Sequence, residues 1–210
     1  MPRTLARDHA EKKARIARQA ARVFARSGFD HASMEEVAAS CGLAKGALYH
    51  YFGGKEELLQ FILARHLGAI LERLRRTETR QLQPQDLLRR FVLEILLAYR
   101  GADDEHRLQM NALDRLARAR REALKDIQRE IVALMEQAVA AAGPPHLARD
   151  RRRLRAATMS LFGMLNWFYL WNRDSAVAAR HEYAGLAADL FLGGIGSLGE
   201  PDPPAVTRPR

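Results

Sequence analysis

The chain has 210 residues, 48% of them hydrophobic and 28% charged, a composition typical of a globular protein with one large or two small domains. Its net charge of +9 favours a polyanionic partner, although residues 1–60 hold ten Lys/Arg against seven Asp/Glu and contribute only three of these charges. The single cysteine, Cys41, excludes a disulfide framework, and the longest apolar run, residues 156–171, is shorter than the ~20 residues that span a bilayer.

The N-terminal stretch is charged and lacks the apolar core of a signal peptide, so we expect a cytoplasmic protein without a membrane segment. Residues 1–13 have the composition of a polar arm, which could reach a DNA minor groove or simply fray in solvent. The first predicted helix ends at Ser27, and Gly28 stops it. Its inner face consists of Ile16, Ala20, Val23, Phe24 and Ser27.

A capping box opens the second predicted helix, because Ser33 is followed three residues later by a glutamate. This helix ends at Gly42, where a left-handed residue is needed. A third helix is predicted over residues 44–52, with Leu48 and Phe52 four positions apart on its inner side.

Two helices joined by a tight turn with glycine form a helix-turn-helix pattern, whose second helix enters the DNA major groove. Small residues on that helix permit close approach, and its lysine, tyrosine and histidine can meet phosphates or base edges. The predicted DNA-binding residues are Ser33, Ala44, Lys45, Gly46, Tyr49, His50 and Lys55, with Ser33 and Lys55 as phosphate anchors. From the spacing alone, a purely structural helix pair remains the alternative.

Six further helices are predicted from apolar residues at helical spacing. They cover residues 55 to about Thr79, Pro84 to 100, 103–116, 120–142, 148–172 and 177–192. The tail from Gly193 is rich in Gly and Pro, and we expect it to be disordered. No stretch alternates as a strand does, so the predicted fold class is all-α.

The segment from Leu161 to Trp171 is hydrophobic nearly all round, and a helix of this kind must be covered on every side. The domain core and a second subunit could share that task. An alternative is a ligand pocket, in which aromatic walls surround the amide of Asn166.

The segments AARVFARSGF (20–29), SMEEVA (33–38), Gly42, KGALYHYF (45–52) and KEEL (55–58) resemble, in order and spacing, the DNA-binding domain of the tetracycline-repressor (TetR) family. The resemblance covers about residues 14–63. It implies an all-helical homodimer that binds a DNA operator through an N-terminal three-helix domain, residues 1–54. It also implies a C-terminal ligand-binding and dimerisation bundle, residues 55–195, followed by a tail, residues 196–210.

In this family the last two helices form the usual dimer surface. The resemblance therefore assigns the dimer interface to Leu161, Tyr169, Tyr183, Leu186, Ala187 and Leu190.

Residues 163–167 and 171–173 resemble the acyl-CoA-responsive branch of the family. This implies a CoA thioester as effector, and the predicted ligand-binding residues are Tyr99, Met110, Phe162, Asn166, Trp167, Trp171 and Arg173. Arginines among residues 115–121 or 149–155 could meet the CoA phosphates, unless they only form solvated faces. A repressor that senses drugs or aromatic compounds is the alternative, and a small-molecule-binding module without DNA binding is a third possibility.

No catalytic motif is present. Residues 103–106 include three acids and a histidine, but consecutive residues of a helix point in different directions and cannot share a metal. Cys41 occupies a core-facing helical position, and neither a phosphate-binding glycine loop nor a Ser/His/Asp motif occurs. We therefore expect no enzymatic activity, no bound metal and no resident cofactor.

Overall fold

The computed structural model describes residues 2–78, 80–172 and 176–199, with side chains from residue 7 onward. Over these residues the chain forms eleven α-helices and one 3₁₀ helix (Leu113–Arg115), without a β-strand. The helices are α1 (Pro2–Ser27), α2 (Met34–Ser40), α3 (Lys45–Tyr49), α4 (Lys55–Arg76), α5 (Pro84–Tyr99), α6 (Asp103–Asn111), α7 (Arg118–Ala142), α8 (Pro145–Arg149), α9 (Arg151–Asn166), α10 (Phe168–Trp171) and α11 (Val177–Gly196). The predicted all-α fold is confirmed.

The first of two compact units contains the residues up to Arg76 together with Leu97–Ile131. In this unit α1 packs against α2, α4 and α6, and α6 also contacts α4. Its core consists of apolar residues spaced three or four apart along these helices, among them Ile16, Ala20, Val23, Phe24, Leu58, Leu59, Ile62, Leu63, Leu67 and Ile70. The apolar stripes predicted for the first and fourth helices are therefore buried.

The second unit contains Thr77–Leu96 and the chain from Val132 onward. Here α9 packs against α8, α10 and α11. Two charged side chains of this unit are buried among the described residues, Glu94 and Arg180. Arg180 is 3% exposed, donates a hydrogen bond of 3.3 Å to the carbonyl of Leu96, and lies 5.3 Å from the centre of the Phe168 ring. Within the described residues, no helix combines the length and apolarity needed to cross a bilayer.

The N-terminal residues form helix, not an irregular arm. α1 begins at Pro2, and proline suits the first helical position because its missing N–H has no partner there in any case. Arg7 and Glu11 form an ion pair of 3.0 Å one turn apart, and the ring of His9 stacks on Tyr51 at 5.0 Å. These contacts extend the helix about three turns beyond the predicted start.

The predicted eighth helix, residues 148–172, is wrong as a single element. Asp150 ends α8 and caps α9, since its carboxylate accepts hydrogen bonds of 3.0 Å from the backbone N–H groups of Arg152 and Arg153. Trp167 then separates α9 from α10, with φ −90° and ψ −7°. Helical periodicity continues across both breaks, and for that reason the sequence pattern did not indicate them.

Two helix ends also differ from the prediction. α11 continues through Gly193 and Gly194 to Gly196, because Ile195 is buried in the core and holds the last turn in place. The fourth helix ends at Arg76, and its predicted end at Thr79 lies outside the described residues.

Candidate functional site

Helix α2 is specified at both of its ends. Ser33 and Glu36 form a complete capping box: the serine hydroxyl accepts from the Glu36 N–H at 3.1 Å, and the Ser33 N–H donates to the Glu36 carboxylate at 2.8 Å. At the other end Gly42 has φ +65°, while the N–H groups of Leu43 and Gly42 donate to the carbonyls of Ala38 (2.9 Å) and Ala39 (3.1 Å). This pair of bonds is a Schellman motif, which redirects the chain into α3.

The orientation of α3 follows from two buried residues. Leu48 and Phe52 are 0% and 1% exposed, and they fix the inner side of the helix. The five residues predicted to bind DNA in and beside this helix, Ala44, Lys45, Gly46, Tyr49 and His50, are all exposed. At Gly46 no atom of the described chain lies within 4 Å of the place where a Cβ would stand, so packing inside the chain does not require glycine there.

The two lysines predicted to bind DNA, Lys45 on α3 and Lys55 at the start of α4, already have partners within the chain. Lys45 forms an exposed ion pair with Glu35 on α2, and its hydrogen bond lowers the pKa of the Glu35 carboxyl while raising the pKa of the Lys45 ammonium. Lys55 donates hydrogen bonds of 3.0 Å to the carbonyls of Asp30 and Ala32, and its Nζ lies 4.7 Å from the centre of the Phe29 ring. Lys55 therefore ties the start of α4 to the loop before α2, and the Ser33 hydroxyl serves as a helix cap.

The residues predicted for the effector do not form one cluster. Tyr99 is buried and Met110 is 47% exposed, and both belong to the first unit. In the second unit Phe162 is buried and Asn166 is half-buried, whereas Trp167 and Trp171 are 59% and 60% exposed. Arg173 lies outside the described residues.

An aromatic cluster nevertheless forms in the second unit. The ring of Phe168 stacks on Tyr183 at 4.7 Å, and Trp171 meets both rings edge-on at 5.2 and 5.1 Å. The Tyr183 hydroxyl donates a hydrogen bond of 2.9 Å to the carbonyl of Met164. These contacts anchor α10 on α11 and leave much of the Trp171 indole on the surface.

The residues predicted for the dimer interface differ in burial and fall into three pairs. Leu161 and Ala187 are 0% exposed within the chain, so they pack in its own core. Tyr169 and Tyr183 are half-buried, while Leu186 and Leu190 are 54% and 61% exposed. The exposed pair lies one turn apart on α11 and forms an apolar strip there.

Sequence reasoning missed a polar cluster in the core of the first unit. His66 on α4, Tyr99 at the end of α5 and His106 on α6 are all buried, with ring centres 4.2 to 5.8 Å apart. Burial, together with the nearby His106, lowers the pKa of His66 to about 3, against a weaker opposing effect of a hydrogen bond with Gln109. The signal was present in the sequence, since His66 falls four residues from both Ile62 and Ile70 on the apolar stripe of α4.

A groove in the second unit was also missed. It has a volume of about 320 Å³ and is lined by Leu82, Asp86, Arg89, Arg90, Leu93, His181, Ala184 and Gly185, on the segment before α5, on α5 itself and on α11. Arg89 and Arg90 are held at this groove by ion pairs with Asp189 and Glu94. None of the predicted effector residues that the structure describes lines it.

A capped helix, a glycine turn and a second helix with an exposed polar face, all within an all-helical chain, define a helix-turn-helix protein. The chain belongs to the TetR family of bacterial regulatory proteins. The family's N-terminal model, described as bacterial regulatory proteins of the tetR family, matches residues 16–62, and a tetracyclin repressor-like C-terminal domain matches residues 81–195. The predicted family is therefore confirmed.

Individual proteins agree with this assignment. A TetR-family transcriptional regulator from Bordetella parapertussis 12822 has 32% sequence identity and a TM-score of 0.81, over 88% of this chain and 95% of its own. The complex of AibR with isovaleryl coenzyme A and operator DNA has 24% identity and a TM-score of 0.68, over 88% of this chain and 97% of its own, a likeness of fold alone.

Among curated relatives, the HTH-type transcriptional regulator YerO of Bacillus subtilis (strain 168) is 34% identical over 95 residues, which are 45% of this chain and 31% of YerO. The chain thus spans about a third of the length of that relative. The family and these relatives are transcriptional regulators, which confirms the expectation that the chain is not an enzyme.

Burial raises the pKa of the Cys41 thiol, as expected for a structural cysteine.

Proposed function

We propose that the chain is a ligand-responsive transcriptional repressor, which binds a palindromic DNA operator as a homodimer and leaves it when a small effector binds. The observation that carries this proposal is the exposed face of α3. Five residues in and beside this short helix are exposed and have sizes or donors that suit the major groove, while Leu48 and Phe52 are buried in the core. The Lys45–Glu35 ion pair is exposed, so Lys45 can exchange it for a phosphate or a guanine edge.

Dimerisation is the second part of the proposal. Two recognition helices meet successive major grooves only when a dimer sets their spacing at about one helical turn of DNA, ~34 Å. The exposed apolar side chains of Leu186 and Leu190 on α11, with Leu170 and Trp171 on α10, provide the apolar surface for a second copy.

For the effector we propose an acyl-CoA thioester. The support is the AibR complex, which has the same fold and is named for isovaleryl coenzyme A, and the arginines at the end of α8 and the start of α9. Arg149, Arg151 and Arg152 are exposed, and no ion pair of theirs occurs among the described residues. By contrast, Arg115 pairs with Asp30 at 3.2 Å, Arg120 donates to Gln60 at 2.9 Å and Arg121 pairs with Asp114 at 3.6 Å. In the second set only Arg118 lacks such a partner among the described residues, so the first set has more cations that can bind the CoA phosphates.

An effector of this kind weakens DNA binding only if it prefers a dimer whose recognition helices are wrongly spaced. A sensor of drugs or aromatic compounds remains the competing proposal, and the groove of about 320 Å³ would suit such a ligand equally well.

The DNA-binding part is tested with genomic fragments captured by the purified protein and a gel-shift assay. Lys45→Ala/Tyr49→Ala should abolish the shift, because it removes the largest polar groups of the exposed face. Gel filtration of the same variant checks that the dimer is intact. Normal binding by this variant would disprove the assignment of α3.

The effector part is tested by release from the captured fragment with CoA thioesters, the matching free acids and lipophilic cations in parallel. We expect release by thioesters alone, and weaker release after Arg151→Gln/Arg152→Gln. Release by cations or free acids but not by thioesters would favour the competing sensor.

A further inference from the structure

The positive charge of the first unit is unevenly distributed along the chain. Residues 28–60, which include α2, α3 and the start of α4, contain two Lys/Arg and five Asp/Glu, a net charge of −3. The residues of α1 contain eight Lys/Arg and two Asp/Glu, a net charge of +6. Because DNA affinity comes largely from neutralised phosphates, α2 and α3 alone are poorly equipped to supply it.

The two lysines of residues 28–60 do not change this conclusion. Lys55 is held by two carbonyls and an aromatic ring at the start of α4. Lys45 can leave Glu35 to bind DNA, but the carboxylate of Glu35 then stays unpaired beside it. The cations that neutralise the DNA backbone must therefore come largely from another element.

The N-terminal half of α1 lies next to the end of the recognition helix. Tyr51 follows α3, and its ring is covered by two residues of α1: His9 stacks on it at 5.0 Å, and the Nζ of Lys12 lies 5.7 Å from its centre. His9 is exposed and Lys12 is half-buried. The adjacent Lys13 turns toward Phe52 and Phe61 instead, with its Nζ 4.7 and 5.3 Å from their centres.

We propose that His9 and Lys12, positioned by the ring of Tyr51, form a phosphate-binding extension of the recognition surface. This inference rests on the proposed DNA-binding function and assigns the sequence-independent part of it. The extension contacts the DNA backbone beside the bases that α3 reads, and Lys12 supplies the charge that residues 28–60 lack. Tyr51 acts as a positioning residue, because its ring holds the lysine Nζ beside the DNA backbone, and without the ring the phosphate contact is not made.

The test uses the salt dependence of binding to a mixed-sequence 30-base-pair duplex, because a phosphate contact does not depend on sequence. Each phosphate contact contributes about 0.9 to the slope of log K against log salt concentration. Lys12→Gln should lower the slope by about 0.9 per protomer, which corresponds to about a 3.5-fold smaller loss of affinity between 50 and 200 mM salt.

Arg26→Gln is the matched control, since Arg26 is an exposed cation of the same helix, roughly 21 Å further along its axis. Tyr51→Leu should lower the slope as much as Lys12→Gln although it removes no charge. Equal slopes for Lys12→Gln and Arg26→Gln would overturn the proposed contact, and an unchanged slope for Tyr51→Leu would overturn the positioning role. Circular dichroism checks that each variant is folded.

The same experiment separates this inference from the proposed function. Sequence-specific binding to a genomic fragment with an unchanged Lys12→Gln slope would leave the repressor standing and remove the extension. If Lys12→Gln reduces the salt slope but the protein prefers no genomic fragment, the extension is supported and the proposed operator is not. If the unaltered protein binds neither the genomic fragments nor the mixed-sequence duplex, both the repressor function and the phosphate-binding extension are overturned.

Discussion

Residues 33–52 and residues 161–172 are both rich in aromatic and apolar side chains, yet they differ in how well the sequence predicts them. In the first segment the predicted inner residues Leu48 and Phe52 are buried, and the five predicted outer residues are exposed. In the second segment the tryptophans predicted to line a pocket are more than half exposed, while Phe168 between them is 1% exposed.

The difference has a physical cause. Residues 33–52 contain their own stop and start signals, and polar and apolar positions alternate with the helical period, so local interactions alone orient the helix. Residues 161–172 are apolar on all sides, so no contrast indicates which side faces the core. The orientation is set instead by tertiary contacts, which leave Trp167, Leu170 and Trp171 exposed and available for a proposed second molecule.

The largest expected effect tests whether that molecule is a second copy. Leu186→Glu/Leu190→Glu should convert the proposed dimer to monomers, because each lost leucine counts twice in a symmetric interface. Four leucines at about 1.5 kcal/mol each suggest a loss of roughly 6 kcal/mol in association free energy. Analytical ultracentrifugation measures the change.

Ala178→Glu on the same helix is the control, since Ala178 is exposed and small and lies two turns away from Leu186. A double variant that remains dimeric at micromolar concentration would show that the apolar strip of α11 serves another purpose, and the effector would then be the next candidate to cover it.

The second prediction compares the two segments directly. Phe52→Ala should destabilise the chain by about 3–5 kcal/mol, because it leaves a cavity in a fully packed core. Trp171→Ala removes a larger side chain, but 60% of it is exposed, so the cost to the isolated chain should be much smaller. Urea unfolding at a protein concentration low enough to keep both variants monomeric measures each loss. Similar losses would mean that the exposed indole contributes far more to folding than its burial indicates.

Structural features with a local sequence signature are predicted well, and features set by distant contacts are not. Most of the helices, the capping box and the exposure of the residues predicted to bind DNA follow from patterns within a few positions of one another, and these agree with the structure. The breaks at Asp150 and Trp167 do not disturb the periodicity, and the burial of His66 depends on α5 and α6, which are distant in sequence. Contacts of that kind have no local signature.

The third prediction concerns His66, a buried residue of the first unit that the sequence pattern did not single out. Its pKa is about 3 when folded and 6.5 in an unfolded chain, so the unfolded chain binds more protons between these values. Stability should therefore fall as pH falls below 6.5, by roughly 2–3 kcal/mol at pH 4.5.

Urea unfolding at pH 7.5, 6.0 and 4.5 measures this loss, and His66→Gln is the comparison because glutamine is polar but does not titrate. Glu105 acts in the opposite direction, since burial raises the pKa of its carboxyl and favours its protonation in the fold. Glu105 is present in both the unaltered protein and His66→Gln, so subtracting their pH dependences of stability removes the contribution of Glu105. An identical pH dependence in His66→Gln would show that another group causes the acid loss.

The smallest expected effect concerns the capping box on which the recognition segment depends. Ser33→Ala removes the hydroxyl that accepts from the Glu36 N–H and should cost about 1 kcal/mol of stability. Ser40→Ala is the matched control on the same helix, because its hydroxyl donates to the Val37 carbonyl, which the helix already uses.

Ser33 is also a predicted phosphate anchor, and the capping and phosphate-binding roles can be separated by measuring DNA affinity under conditions where both variants are fully folded. If Ser33→Ala then binds DNA as tightly as Ser40→Ala, the serine acts only as a cap. A selective loss of affinity would mean that the hydroxyl reaches a phosphate as well, and the recognition surface would extend across the start of α2.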